Sequence, residues 1–293
     1  MSLLDKTKEQ KLDEHGFQYK DWLNSDSENI IISPSGLRNF ISNRGLWYNN
    51  TILKEKSFTG NESSTLGSLL HMYADNYYSG DLNKDNTLAD WKVKQIASEY
   101  PNAIKEFERI YPFFKEVYLD NSTKPDYCEK YLEYDLTPNI KLAGSMDFII
   151  QENGKWIIGD YKSSSKTFKD LEAYFLQLSV YSLLVELAMG IKIDLIRVVG
   201  IITTKETKII IVEDKPNVDY VKQLLNDVVY SIQLVKDNPE LTSLIFPYNY
   251  YDMFNTGLDK KRLGSKEPMF KELDKTTVIR NKLKQSVFGW LII

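Results

Sequence analysis

Two aspartates and a lysine stand where a β-hairpin would gather them. Gly144-Ser145-Met146-Asp147 lies on one side of a turn, and Gly159-Asp160-Tyr161-Lys162 on the other. The turn itself is Glu152-Asn153-Gly154-Lys155. Asn-Gly between two apolar runs is the strongest short-range hairpin signal, because both central residues of a type I′ turn need positive φ. With Asn153 and Gly154 as the loop, Asp147 falls opposite Asp160 and Ser145 opposite Lys162. Side chains alternate along a strand, so Asp160 and Lys162 share a face. Carboxylates opposed in this way have Cβ atoms about 4.5–5.5 Å apart and repel one another. A divalent cation relieves that repulsion, and an oxygen-rich pair suits Mg²⁺ or Mn²⁺. The adjacent lysine can orient a water or stabilise negative charge developing on phosphorus. Metal-assisted attack of water on a phosphodiester is the chemistry this set would support. Two solvated hairpin charges are the plainer alternative.

Three further groups bear on the same site. His71 lies four residues after Gly67 in Leu66-Gly67-Ser68-Leu69-Leu70-His71, so the two share one face of a helix. A glycine inside a helix costs about 1 kcal/mol against alanine, which suggests close approach by another group. His71 alone reads equally as a core histidine. Gln177 and Tyr181 are also four apart, on the helix that follows the Asp/Lys strand. They can meet a phosphate or a base, or can simply be core and flank. Glu133, on the strand before the hairpin, adds a carboxylate if it faces Asp147; Asp135 has the same facing.

The elements that must position these groups are legible in outline. Strands are expected at 127–136, 140–151, 155–162, 193–203 and 207–213, with a crossover helix at 168–189 that Gly190 ends. A strand–helix–strand crossover implies a sheet covered by helices. Upstream, Ser35 is expected to cap a helix running to Trp47 and Tyr48, and Ser64 or Thr65 to begin another through Tyr73. Amphipathic helices are expected near 88–99, 103–118 and 216–236.

Bulk properties narrow the classes. The 293 residues carry a net charge of −4, which excludes a generally basic nucleic-acid coat. Only the segment 259–284 is locally basic, with nine Lys and Arg against four acids. Cys128 is the single cysteine, so neither an intrachain disulfide nor a thiolate-bound cluster is available. The charged N-terminus lacks a signal-peptide core, no uninterrupted apolar run reaches membrane-spanning length, and a cytoplasmic protein without membrane contact is expected.

In this order and spacing, five segments resemble the PD-(D/E)XK nuclease superfamily, in the branch of the RecB nuclease domain and exonuclease VIII-like phage enzymes. They are Ser33-Pro34-Ser35-Gly36-Leu37, Leu66 to His71, Gly144 to Asp147, Gly159 to Ser164, and Gln177-Leu178-Ser179-Val180-Tyr181. The resemblance implies an α/β restriction-endonuclease-like core, a mixed β-sheet flanked by helices with an N-terminal helical region. It makes residues 1–240 the nuclease domain, with a helical part over 1–120, a catalytic sheet core over 127–213, and a basic, aromatic extension over 241–293. It implies Asp147, Asp160, His71 and the Tyr161 backbone carbonyl as ligands of Mg²⁺ or Mn²⁺, with Glu133 as an auxiliary ligand. Lys162 would position the attacking water, and Gln177 and Tyr181 would support the active site and contact DNA. No four-cysteine iron–sulfur cluster is possible, and no Gly-x-x-x-x-Gly-Lys-Ser/Thr loop offers an ATP site. An exonuclease on linear double-stranded DNA ends is expected, in phage-type recombination beside a single-strand annealing protein, as a homo-oligomer in the host cytoplasm. An endonuclease, a single-strand nuclease and a catalytically silent DNA-binding module are the rival readings.

Overall fold

The computed structural model describes residues 11–12, 18–19, 30–54, 61–79, 98–164 and 171–247. The 241–293 extension therefore lies outside the described residues beyond Pro247, as does most of the helix expected at 88–99. The sheet contains β1 (Ile30–Ile32), β2 (Tyr127–Thr137), β3 (Ile140–Glu152), β4 (Lys155–Ser164), β5 (Leu195–Ile202) and β6 (Lys208–Asp214). The helices are α1 (Pro34–Ser42), α2 (Arg44–Thr51), α3 (Glu62–Ser79), α4 (Pro101–Val117), α5 (Leu171–Met189) and α6 (Val218–Asp237). This is the expected mixed sheet with helices on both faces. One core packs α1, α2, α5 and α6 on one face; α3 and α4 bury the other through Leu69, Leu70, Phe107, Ile110 and Phe114.

The β3–β4 hairpin has the expected register, pairing Glu152 with Lys155 and continuing to Phe148 with Gly159. Asn153 and Gly154 take φ of 51° and 74°, as a type I′ turn demands. Past Phe148 the two strands separate, and β1 pairs with Ile140–Leu142 of β3 instead. One edge of β3 thus carries β1 at its start and β4 at its end, leaving a fork over residues 143–147. Parallel β5 joins the far side of β4 through the α5 crossover, and antiparallel β6 follows it. By length and mean apolar content α5 would also pass as a membrane span, although Glu172, Gln177 and Glu186 interrupt its apolar run. Here it is the buried crossover, with Leu178 to Val185 inside the core.

Two N-terminal expectations need correction. Ser33, not Ser35, caps α1: its hydroxyl accepts from Gly36 N at 3.0 Å, and Pro34 takes the first helical position. The helix also does not run on to Tyr48. Asn43 ends α1 and caps α2, accepting from Leu46 N at 3.0 Å. Similarly, Asn61 rather than Ser64 caps α3. Asn61 Oδ1 accepts from Ser64 N while Ser64 Oγ accepts from Asn61 N, both at 2.9 Å, a reciprocal capping box.

Candidate metal centre

At the fork, the β2–β3 pair changes faces. Before it, Ile140, Leu142 and Met146 of β3 and Leu132 of β2 point toward α5. After it, Phe148 and Ile150 point toward α3 and α4, where Cys128 packs beside them. The exchange occurs in both strands at one rung, where Glu129 stands across from Asp147 between the pairs Cys128–Phe148 and Lys130–Met146. Glu129 adopts a left-handed φ of 42°, rare for a non-glycine residue and typical of functional sites. The irregularity carries two carboxylates out of the ordinary alternation to the sheet's open fork.

Backbone groups of Tyr161 then orient the other ligands. Its N–H donates to Asp147 Oδ2 at 2.7 Å, which leaves Oδ1 facing His71. Its carbonyl accepts from His71 Nε2 at 2.8 Å. A ring nitrogen that donates to a backbone carbonyl fixes the tautomer and leaves the other lone pair available for a metal. That other nitrogen, Nδ1, lies 3.2 Å from Asp147 Oδ1 and 3.6 Å from Glu129 Oε1. The ligand atoms of His71, Glu129 and Asp147 all fall within 4.8 Å of one another. An imidazole and two carboxylates converging in this way fit a divalent cation. The Tyr161 carbonyl, expected among the ligands, is the acceptor that holds His71.

Asp160 and Lys162 continue the alternation of Ile158 on the α5 side of β4. Lys162 Nζ donates to Asp160 Oδ1 at 2.7 Å and is equally near Oδ2, which no donor meets in hydrogen-bonding geometry. The Lys162 ammonium is thus the cation that this buried carboxylate faces. Burial, followed by the charge of Asp147, pushes the Asp160 carboxyl up to about 7. Burial also opposes ionisation of Asp147, but the His71 charge prevails and holds its carboxyl below the usual range. Burial alone would lower His71; the Asp147 carboxylate reverses this and takes it up to about 10. Lys162 likewise overcomes its burial through Asp160 and stays cationic, its affinity for the proton raised. It can therefore orient or stabilise, but it is not a proton acceptor at neutral pH.

The α5 pair lies where expected. Tyr181 donates its hydroxyl to the Ser145 carbonyl at 2.5 Å, satisfying a backbone group that the fork leaves without a strand partner. Gln177 stands beside the Tyr181 hydroxyl, near enough to lower its proton affinity against the effect of burial. Gly144 is required here: a Cβ would sit 2.9 Å from Pro34 Cδ and 3.2 Å from the Tyr181 ring. Tyr181 and Gln177 thus brace the strand that carries Asp147.

Glu133 is not brought to this centre. It pairs across from Ala143, two turns of the alternation beyond the Glu129 rung, and its carboxylate accepts from Lys141 at 2.9 Å. The residue that sequence reasoning missed is Glu129. At the β2–β3 turn Thr137 pairs with Ile140, and Leu136 is an extra residue before the regular register resumes at Asp135–Lys141. That bulge shifts the register by one, and one residue decides which side chains face each other. No local sequence signal marks it.

A model of the PD-(D/E)XK nuclease superfamily matches residues 31–240. Among solved structures, the chain is similar to one titled "Putative exonuclease" from Eubacterium rectale, at 19% identity and a TM-score of 0.49, covering 78% of this chain and 87% of that one. It is also similar to SSO0001, at 16% identity and a TM-score of 0.37, covering 71% and 79%. No curated protein matches the chain.

Proposed function

The chain belongs to the PD-(D/E)XK nuclease superfamily, and from that premise we propose that it is a Mg²⁺- or Mn²⁺-dependent exonuclease acting on linear double-stranded DNA. The observation that carries the metal-dependent part is the pair of Tyr161 backbone bonds, which aim His71 Nδ1 and Asp147 Oδ1 at the space Glu129 also faces. His71, Asp147 and Glu129 would hold the cation, and Asp160, paired to Lys162, would add a further carboxylate. When bound, the cation would neutralise charge on the scissile phosphate and make a water more acidic.

The protein's own groups supply the rest. Lys162, kept cationic and anchored on Asp160, orients the attacking water or stabilises charge on the phosphate oxygens. Tyr161 holds both neighbouring ligands in one geometry, so little reorganisation is needed when substrate arrives. Tyr181 and Gln177 keep the Asp147 strand from closing onto β4. Hydrolysis would leave a 3′-hydroxyl and a 5′-phosphate.

Preference for DNA ends rests on the five-motif resemblance, as does the proposed setting in phage-type recombination with a single-strand annealing partner, as a cytoplasmic homo-oligomer. The same resemblance supports taking 1–240 as the nuclease domain and 241–293 as its extension. The deciding experiment incubates end-labelled linear duplex and covalently closed circular DNA with and without Mg²⁺. Mg²⁺-dependent loss of the linear form alone is expected. Cleavage of the circle would make the enzyme an endonuclease, and loss of neither form would remove the catalytic reading.

A further inference from the structure

Gly67, expected to receive a close neighbour, has none: a Cβ there would find nothing within 4 Å among the described residues. A larger surface without a neighbour lies at one end of the sheet. The sheet ends in β2 on one side and β6 on the other. β6 reads Lys-Ile-Ile-Ile-Val-Glu-Asp over 208–214, and β5 is its single strand partner among the described residues. Four consecutive β-branched residues normally mark an interior strand, yet none of the seven is buried and Ile211 is 53% exposed. An end strand is ordinarily protected by charges, proline or an irregularity along its length. β2 has that protection, with Glu129, Lys130, Glu133 and Asp135 along it and a left-handed residue at Glu129. The run from Ile209 to Val212 has none of it.

Both faces of β6 bear on what could pair there. Ile209 lies across from Ile201 and Ile211 from Val199, on the face toward α3 and α4. There Ile211 and Val117, the half-exposed last residue of α4, line a trough of about 590 Å³. Lys208, Ile210, Val212 and Asp214 share the opposite face. Lys208 Nζ stands 3.9 Å from Glu206 Oε2 at the surface, and Asp214 Oδ1 accepts from its neighbour Lys215 N at 2.7 Å.

Charge decides which partner fits. Let a second copy lie antiparallel about a two-fold axis through Ile211. Lys208 then faces Asp214 of the partner subunit, and Asp214 faces Lys208 of the partner subunit. Ile210 faces Val212 of the partner subunit, and Ile211 meets its own copy. The ladder closes on an opposite-charge pair at each end and is apolar at its centre. An in-register parallel copy would instead set lysine on lysine and aspartate on aspartate.

We propose that β6 is the docking edge for a second copy of this chain, joining two sheets through a two-fold antiparallel β6–β6 ladder. The interface gives the proposed homo-oligomer a surface, and it uses no residue of the candidate metal centre.

The test is sedimentation equilibrium of the full-length protein without DNA. Twice the chain mass is expected at a concentration of about 100 µM. Ile211→Lys sets two ammonium groups against each other on the axis and should raise the dissociation constant by roughly a hundredfold or more. Lys208→Glu opposes acids at both ends of the ladder and should raise it roughly tenfold. Adding Asp214→Lys to Lys208→Glu restores opposite charges and should return it to within about threefold of wild type. All three positions are exposed, so far-UV circular dichroism should match wild type in every variant. Wild-type protein that stays monomeric, a dimer indifferent to Ile211→Lys, or a Lys208→Glu defect that Asp214→Lys does not repair would each overturn the interface and leave the nuclease reading standing. A dimer that responds as described but hydrolyses no DNA would keep the interface and remove the catalytic reading.

Discussion

The β3–β4 hairpin holds a charged cluster at each end, and the two are built on opposite principles. At the turn end, Arg197 bonds both oxygens of Glu152 at 3.2 and 2.7 Å and reaches Glu213 at 2.7 Å. Both carboxylates there are held by the one guanidinium. At the fork end, among the described residues, three carboxylates (Glu129, Asp147 and Asp160) share two cationic partners, His71 and Lys162, with one backbone donor from Tyr161, and a carboxyl and an imidazole are displaced far from their ordinary values. Complete pairing stabilises a fold; incomplete pairing among buried acids is tolerated where a ligand completes it.

The largest effect that would break this contrast concerns activity. Asp160→Ala and Lys162→Ala should each lower Mg²⁺-dependent DNA hydrolysis by at least about a thousandfold, a size typical of losing a preorganised electrostatic contact. Their far-UV circular dichroism should stay close to wild type, while Lys162→Ala, which leaves the buried Asp160 carboxylate without its cation, should melt at a lower temperature. Wild-type digestion by Lys162→Ala would end its assigned role. Arg197→Ala should behave in the opposite way. It removes a largely buried guanidinium that ties the partly exposed Glu152 and Glu213 together and should cost about 1–2 kcal/mol in denaturant unfolding. Activity per folded molecule should be unchanged, and a catalytic defect at full stability would erase the distinction between the ends.

The pH response separates the ends further. His71 is raised from 6.5 to about 10, so its stabilising share is complete below pH 6.5 and lost as pH climbs through 10. Asp160, raised from 3.8 to about 7, adds a loss of stability between those values. The thermal midpoint of metal-free protein should therefore fall from pH 6.5 to 10, and His71→Asn should flatten that slope. A slope unaltered in His71→Asn would place its origin elsewhere. The smallest expected effect belongs to the turn. Asn153→Ala puts alanine at a φ of 51° and should cost about 1 kcal/mol without altering cleavage.

The same contrast explains what could be read from the chain. The turn end is local: Asn153-Gly154 fixes the register as far as Phe148–Gly159, and the strands part just before the expected Asp147–Asp160 and Ser145–Lys162 pairs. Gly190 and the apolar α5 pattern were local too, and both hold. The fork depends on events that counting does not reach. A bulge at Leu136 and a change of faces at Glu129 decide which β2 carboxylate joins the centre, and neither has a residue signature. His71 was visible only as a helix neighbour of Gly67; its bond to the Tyr161 carbonyl joins segments ninety residues apart. Helix caps were misplaced by two or three residues because Ser33 and Ser35, or Asn61 and Ser64, are all competent capping types.

The brief strand β1 has a significance out of proportion to its three residues. Among the described residues it is the strand that pairs with the start of β3, which β4 does not reach, and so keeps a row of backbone amides from other molecules. A chain shortened to begin at Pro34 would expose that row. Self-association, seen as light scattering under native conditions, would then precede any loss of catalytic competence.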